Sequence, residues 1–219
     1  KWSGAPPVKT FTSTGDFLHQ WGDHVIKTGN NGNTWGHVGI ALGGSGNVYV
    51  VNKGENKIQK FTSSGEFLLE WELHDDPTNN MDPFTSPWPI GIALDVDENV
   101  YVTDTFQHTI EKFTSSGNFI FRWGLGMLSY DEGGYDEGVL VKPLGIAVDS
   151  EGNIYLGHHF RYEPGSGTKS RVAKYTPEGQ FVFYLDASAY AVATDTSGNL
   201  YVRESILGGG KIRKYQVNY

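Results

Sequence analysis

The segment Ile58–Leu68, which reads IQKFTSSGEFL, returns almost unchanged at Ile110–Ile120 as IEKFTSSGNFI. An earlier copy begins at Phe11 with the order FTSTGDFL, and weaker copies of the first four residues occur at Val172–Tyr175 and Ile212–Tyr215. The copies recur at intervals of roughly fifty residues, which is the spacing of a tandem repeat protein. The sequence therefore predicts one structural unit that is used several times.

A second phrase stays in phase with the first and opens each unit. It is short, small and apolar, and it occurs at Gly39–Leu42, Gly91–Leu94 and Gly145–Val148, with a looser copy at Ala191–Thr194. Glycine at its start favours a strand whose backbone lies close to its neighbours. We predict that this phrase forms the innermost strand of each unit.

Three more strands complete the unit in the copy that is easiest to read. Asn99–Thr103 follows a turn rich in Asp, Glu and Asn, and Ile110–Phe113 alternates apolar and polar residues with a period of two. Asn118–Trp123 then follows the Thr-Ser-Ser-Gly turn. Each repeat therefore predicts four antiparallel strands, of about four to seven residues each, and almost no helix.

Several phrases carry a resemblance to a known family. Pro143–Asp149 followed by Gly152–Tyr155 resembles the NHL-repeat pattern, as does Val102–Asp104 followed by Ile110–Phe113 and Arg122–Gly124. The resemblance implies an all-β protein, a β-propeller built from four-stranded antiparallel blades, in one domain that covers residues 1–219. It implies little about activity, because one fold hosts many functions.

About four blades fit in the chain. Three are complete, at residues 39–71, 91–123 and 145–185, and partial ones flank them at Val8–Trp21 and Ala191–Tyr215. We predict that Asp16–Trp21 pairs with the C-terminal blade and closes a ring of four, since closure removes exposed sheet edges. Two alternatives stay open, because most NHL propellers resemble six-bladed rings: a piece of a larger ring, and an oligomer in which another chain completes the ring.

Composition narrows the function classes. The formal net charge of -8 argues against nucleic acid as a partner. There is no cysteine, so disulfides, thiolate metal sites and a cysteine nucleophile are absent. No apolar run approaches the length of a membrane helix, and Lys1–Gly4 does not read as a signal peptide. The absence of an initiator Met is compatible with processing, and we favour an extracellular or periplasmic location.

A metal-dependent enzyme is the alternative function. In the NHL peptidyl-hydroxyglycine amidating lyase family, which these repeats resemble, a metal-binding His directly precedes the glycine of the innermost strand. Val38, Ile90 and Leu144 occupy that position here, and His37 lies one residue away. The acidic segment Asp131–Glu137 offers oxygen ligands suited to calcium but lacks EF-hand spacing. We predict no catalytic residue and no cofactor. The alternative is a metal-dependent lyase or hydrolase with its site at the central channel of the propeller, and calcium or zinc is the alternative for the cofactor.

Polar residues stand at the equivalent ends of the second strands: Asn52, Asp104, His158 and Glu204. The preferred interpretation is that each satisfies backbone groups of its own loop, and the alternative is a polar ring that meets a ligand. His158 and His159 are adjacent on a strand and therefore point to opposite sides, which argues against one shared metal ion. Aspartates also begin the first hairpin turns, where we expect a conformational role: Asp95, Asp149 and Asp195.

The aromatic residues divide into two groups. Those that end the outer strands recur from blade to blade, and we assign them a packing role: Trp21, Trp71 and Trp123. Others lie in connections before first strands or after second strands, beside Lys142 and Arg161: Trp35, Trp88, Tyr130, Tyr135, Phe160 and Tyr162. Both kinds of connection are expected on one face of the propeller, and aromatic and cationic groups there suit a binding surface.

The prediction is a non-catalytic binding or scaffold propeller that recognises a protein, peptide or carbohydrate through this face, without membrane insertion. The predicted ligand-binding residues are Trp88, Phe160, Arg161, Tyr162, His158 and Asp104.

Overall fold

The computed structural model describes residues 8–22, 39–74, 88–124, 142–161, 168–187, 189–206 and 209–216, with only the backbone for 159–161, 168–169, 205–206 and 209. These residues form seventeen strands and no helix, and therefore none long and apolar enough to cross a membrane. The strands are β1 Val8–Phe11, β2 Phe17–Trp21, β3 Ile40–Leu42, β4 Val48–Asn52, β5 Lys57–Phe61, β6 Phe67–Glu72, β7 Pro89–Leu94, β8 Val100–Asp104, β9 Thr109–Phe113, β10 Phe119–Gly124, β11 Pro143–Val148, β12 Ile154–Arg161, β13 Thr168–Tyr175, β14 Phe181–Leu185, β15 Ala189–Thr194, β16 Asn199–Ile206 and β17 Gly209–Gln216.

The strands form the blades of an antiparallel β-propeller, as the repeats predict. Blade 1 is β3–β6, blade 2 is β7–β10 and blade 3 is β11–β14, each with four strands in chain order. Blade 4 has three strands, β15–β17, and the N-terminal hairpin β1–β2 forms a separate two-stranded sheet. Strand lengths run from three residues in β3 to eight in β12, β13, β16 and β17, a wider range than the four to seven that we expected.

The first hairpin turn of three blades is fixed by one aspartate, which confirms the conformational role assigned to these residues. In blade 2 the Asp95 carboxylate accepts hydrogen bonds from the Asp97 and Asn99 amides, the Asn99 side chain and the Tyr101 hydroxyl. The same Asp, Asn and Tyr positions make this network in blades 3 and 4, around Asp149 and Asp195. The turn is therefore held by side chains that compete successfully for its amides.

Alternation in the third strand divides its side chains between two inter-blade layers. Ile110 belongs to the apolar cluster shared with blade 3, and Phe113 to the cluster shared with blade 1. Lys112 lies across from Tyr101 in the strand register and places its ammonium 4.7 Å from the ring centroid. The period of two in the sequence is thus the alternation between one neighbouring blade and the other.

The tryptophans near the ends of β2, β6 and β10 pack over the next blade. The Trp71 ring contacts Phe113, and an added Cβ on Gly117 would lie 2.9 Å from Trp71 Cδ2. Trp123 stands in the same relation to Gly179, and Trp21 to Gly65. These glycines have positive φ, so the turn needs glycine both for its conformation and for the indole above it. The packing role predicted for the three tryptophans is confirmed.

The predicted pairing of Asp16–Trp21 with the C-terminal blade is wrong. β2 pairs with β1, with Val8 opposite Trp21, and Trp21 packs against Phe61 of blade 1 with 4.9 Å between ring centroids. The hairpin thus behaves as the third and fourth strands of a blade that precedes blade 1. Its local turn and the Trp21 contact keep β2 there, so the expected fourth strand of blade 4 is not supplied by this segment.

Candidate functional site

The strand register brings two kinds of connection to the same face, which we call the loop face. Pro89 at the start of β7 lies opposite Asp104 at the end of β8, and Ala189 lies opposite Glu204 in blade 4. Pro143 pairs with His158 in the same way. Loops that enter first strands and loops that leave second strands therefore emerge together, as the sequence predicts for antiparallel neighbours.

Asp104 is the structural centre of the loop face in blade 2. It is fully buried at the end of β8. Its Oδ1 accepts hydrogen bonds from the amides of Phe106 at 2.9 Å, Gln107 at 2.8 Å and Trp88 at 3.2 Å. The Trp88 carbonyl in turn accepts from the Thr105 amide at 3.1 Å. Asp104 therefore ties the loop that leaves β8 to the loop that enters β7.

Burial dominates the electrostatics of Asp104. Loss of water raises the pKa of its carboxyl to about 6, although the amides of Gln107, Trp88 and Phe106 act in the opposite direction. The negative charge of nearby Glu111 adds to the rise. A carboxylate with these partners is engaged with backbone, which is the structural interpretation that the sequence favours for this position.

Among the predicted site residues whose side chains the structure describes, Trp88 is the one open to solvent. Its side chain is 44% exposed directly before β7. The ammonium of Lys53, which follows β4 in blade 1, lies 3.4 Å from the Trp88 ring centroid. Burial lowers the pKa of Lys53. The pair is a cation–π contact between two neighbouring blades, so aromatic surface and positive charge coincide on the loop face.

Lys53 is absent from the sequence-based site, although one signal could have identified it. It follows Asn52, the blade 1 residue equivalent to Asp104, and so leaves the second strand on the loop face. Only the packing of blade 1 against blade 2 brings it over Trp88, which is distant in sequence.

His158 lies in the interior. It is fully buried at the position in β12 that corresponds to Asp104, and its ring stacks with that of Tyr184 at 5.8 Å. The Arg171 guanidinium also lies over the Tyr184 ring, at 3.3 Å from the centroid. Asp104 and His158 thus offer no exposed side-chain surface.

Phe160 and Arg161 are the last two residues of β12 and pair with Lys169 and Thr168. The hairpin β12–β13 therefore extends beyond the position of His158, whereas β8 ends at the equivalent Asp104. The hairpin β16–β17 extends similarly in blade 4. Tyr162, with Trp35, Tyr130, Tyr135, His37, Val38 and the acidic segment Asp131–Glu137, lies outside the described residues.

The other two members of the polar series also have local partners. Asn52 is buried and donates to Glu55 Oε2 at 3.3 Å. Glu204 accepts from the Tyr215 hydroxyl at 2.9 Å and forms an ion pair of 2.9 Å with Arg213. The four equivalent residues thus serve four different local networks, which gives each blade its own loop geometry.

His108 joins blades 2 and 3 beneath the loop face. Its Nδ1 accepts a hydrogen bond of 2.7 Å from the Lys142 amide, directly before β11. Burial, with a contribution from the positive charge of Lys142, lowers the pKa of His108 to about 4, so the ring is neutral near pH 7. Thr105 donates to the Pro143 carbonyl at 2.6 Å beside it. This loop histidine fixes the entry of the next blade.

A buried ion pair at the edge of blades 1 and 2 was not anticipated from sequence. Glu111 is fully buried and accepts hydrogen bonds from Arg122 and from the amide and Nδ1 of His74, the latter at 3.3 Å. Arg122 also donates to the His74 carbonyl. The cluster anchors the segment that leaves blade 1. Among the described residues, no three His, Asp or Glu side chains converge as metal ligands.

No family model matches the chain, and no curated protein matches it in sequence. Solved structures match its fold. A catalytically inactive virginiamycin B lyase from Staphylococcus aureus aligns at 16% identity and TM-score 0.56, over 95% of this chain and 62% of that one. A chain of a nidogen–laminin complex aligns at 19% identity and TM-score 0.54, over 82% of this chain and 60% of that one. The Pan2 WD40 domain of Neurospora crassa aligns at 9% identity and TM-score 0.52, over 90% of this chain and 56% of that one.

These similarities support a β-propeller and nothing finer. The chain spans less than two thirds of the length of each of these structures. The propellers that it resembles include a lyase and a chain of a nidogen–laminin complex, and all three are under 25% identical to it. Function therefore has to be argued from the loop face itself.

Proposed function

We propose that the protein is a non-catalytic binding propeller that recognises a protein, peptide or carbohydrate ligand through its loop face. The contact between Lys53 and Trp88 carries the proposal. It combines a half-exposed indole with a fixed ammonium, a pairing suited to a ligand that has both an apolar and an anionic or hydroxyl-rich part.

The way that Trp88 is held supports a binding role. Asp104 accepts from the Trp88 amide, and the Trp88 carbonyl accepts from Thr105, so the backbone under the indole is fixed before a ligand arrives. A preordered aromatic loses little conformational entropy on binding. Asp104 enters this proposal as the buried residue that joins the two loops, and His158 as a buried residue of β12.

The remaining predicted contacts belong to the same face. Phe160 and Arg161 end the extended strand β12, and Tyr162 follows them in sequence. An aromatic anchor beside a guanidinium contributes about 2 kcal/mol or more when binding excludes water from it, about thirtyfold in affinity. We propose that these residues form one side of the binding surface and that Trp88 with Lys53 forms the other.

The experiment is a screen of the purified chain on a glycan array and against a phage-displayed peptide library. Any hit is then measured with Trp88→Ala, Lys53→Ala and Tyr162→Ala. Trp88→Ala should weaken binding about thirtyfold, with a thermal unfolding midpoint close to that of the unaltered chain.

Two control variants separate the site from folding. Phe67 is a half-exposed aromatic beyond the third-strand turn, at the opposite end of blade 1, so Phe67→Ala should bind normally. Trp123→Ala removes the contact of the indole with the Gly179 turn of blade 3 and reports unfolding. The proposal fails if Trp88→Ala and Tyr162→Ala keep full affinity while binding is lost only in Trp123→Ala.

A further inference from the structure

Strand β17 is an edge strand where the other blades have an interior one. In blades 1 to 3 the third strand pairs on both sides, and the fourth strands β6, β10 and β14 cover its outer edge. β17 is the third strand of blade 4 and pairs with β16 over eight residues. Within the described residues no strand occupies its other side. An edge of this length is a template for strand addition.

Ile212 is an exposed apolar residue of β17 whose equivalents in the other blades are buried. The equivalent residues of the other blades, Ile58, Ile110 and Val172, are at most 1% exposed, whereas Ile212 is 74% exposed. Each of the three lies opposite a large apolar residue of the fourth strand: Trp71, Trp123 and Leu185. The three also pack against the blade that follows their own. A Trp or Leu on an added strand would therefore cover one flank of Ile212, as its cross-strand partner.

The register of the complete blades specifies two further positions. The aromatic that ends the third strand always lies opposite a phenylalanine, in the pairs Phe61–Phe67, Phe113–Phe119 and Tyr175–Phe181, with ring centroids 5.8 to 5.9 Å apart. Tyr215 is the corresponding residue of β17. In blades 1 to 3 a lysine precedes this aromatic and lies opposite an apolar residue of the fourth strand, which is Leu69, Phe121 or Phe183. Lys214 is the corresponding lysine of β17.

Charge indicates an acidic partner. Lys211, Arg213 and Lys214 are all exposed along β17, and Arg213 also forms the ion pair of 2.9 Å with Glu204 of β16. Arg213 corresponds to Gln59 of blade 1, and Gln59 lies opposite the acidic Glu70. Opposite charges at directly facing positions stabilise an antiparallel pair.

We propose that the outer edge of β17 is a second interaction surface, which binds an extended acidic peptide segment as the fourth strand of blade 4. The segment carries Phe opposite Tyr215, Leu or Phe opposite Lys214, an acidic residue opposite Arg213 and Trp or Leu opposite Ile212. Main-chain hydrogen bonds to β17 supply affinity, and the alternate side chains supply specificity. The site is independent of Trp88 and the loop face.

The segment Glu66–Glu72 of this chain, EFLLEWE, has this order of residues and provides the probe. A fluorescein-labelled synthetic peptide of this sequence is titrated into the purified chain, with fluorescence anisotropy as the readout. We expect saturable binding that falls at least tenfold in Ile212→Asp. A peptide with proline at the positions of Leu68 and Leu69 should not bind, because one of two adjacent amides must face the edge.

Matched controls keep the test decisive. Val96 is also exposed and apolar but lies in the first turn of blade 2, so Val96→Asp should bind as the unaltered chain does. A peptide with Lys in place of Glu70 should bind more weakly if Arg213 is its partner. Circular dichroism checks that Ile212→Asp, an exposed position, keeps the fold.

Three outcomes would overturn the proposal. One is the absence of saturable binding, and another is equal binding to Ile212→Asp and Val96→Asp. The third is dimerisation of the chain alone in light scattering that Ile212→Asp abolishes, because the occupant of the edge would then be a second copy. Loss of ligand in Trp88→Ala bears only on the loop face, so the two proposals fail separately.

Discussion

Glu98 of blade 2 accepts a hydrogen bond of 2.6 Å from the Ser45 amide of blade 1 and one of 3.4 Å from the Tyr49 hydroxyl. In the other blades an aspartate of the same turn makes these contacts, as Asp95 does. Blade 1 has Gly43 there instead, and a Cβ at Gly43 would lie 2.9 Å from Glu98 Oε1. The missing carboxylate is therefore supplied by the neighbouring blade.

This relationship predicts that Glu98→Ala destabilises blade 1, although residue 98 belongs to blade 2. We expect the free energy of unfolding in urea to fall by about 0.5–1.5 kcal/mol, because the exposed Ser45 amide exchanges a carboxylate acceptor for water. Glu98→Gln keeps an acceptor oxygen and should lose less. Asp97→Ala changes an exposed neighbour and serves as the control. Equal stability of Glu98→Ala and Asp97→Ala would contradict the assignment.

Asp104 predicts a pH dependence with a defined sign. Its folded-state pKa of about 6 is above the ordinary value, so its ionisation costs stability as pH rises from about 4 to 6. Asp104→Asn removes the titration and keeps an oxygen for the Phe106 and Gln107 amides. Relative to this variant, the unaltered chain should lose about 2–3 kcal/mol between pH 4 and pH 7 in urea unfolding.

The opposite sign is expected for Asp195. The Asn199 amide and side chain lower the pKa of its carboxyl to about 2, so its contribution is present above the ordinary aspartate pKa and lost as pH falls toward 2. Asp195→Asn should therefore be less stable than the unaltered chain near neutral pH, and this difference in unfolding free energy should disappear as pH falls toward 2. A parallel pH response of the two Asn variants would show that the two environments are misassigned.

Gly117 and Gly46 form a matched pair for the inter-blade packing. Their φ angles are +84° and +83°, so alanine at either position carries the same backbone strain. A Cβ on Gly117 meets the Trp71 ring, whereas one on Gly46 has nothing within 4 Å. Gly117→Ala should therefore lose about 1–3 kcal/mol more unfolding free energy than Gly46→Ala. Similar losses would mean that the indole moves aside without cost.

The N-terminal hairpin predicts where Trp21 matters. Because Trp21 packs on Phe61, Trp21→Ala should lower hydrogen-exchange protection in β4 and β5 and leave β17 unchanged. Leu18→Ala, at an exposed residue of the same strand, is the control. Loss of protection in β17 instead would restore the pairing of β2 with the C-terminal blade.

Much of the fold was predictable because equivalent positions of successive blades pack against equivalent neighbours. The repeated Phe and Trp positions, the Asp at the first turn and the glycine of the third-strand turn recur in sequence since each has the same neighbour in each copy. Ring closure was not predictable in this way. β2 fits the pattern of a fourth strand equally well beside β1 or β17, and the choice depends on the contact between Trp21 and Phe61.

The candidate site shows the same division. Trp88 stood out in the sequence because the other blades lack an equivalent, and it is exposed on the loop face. Asp104 and His158 were also singled out, yet both are buried, because an equivalent register position says nothing about whether the side chain turns outward. Lys53 was missed, since its partner belongs to the next blade.

The sequence by itself determined the β-propeller class, the four strands of blades 1 to 3 and the residues that repeat between blades, because these follow from local alternation, turn chemistry and a regular period. Tertiary structure alone decided which residues meet across blades: Lys53 with Trp88, Glu98 with Ser45, and Ile212 with no strand among the described residues. Such contacts join segments distant along the chain, and their geometry depends on how each blade turns against the next.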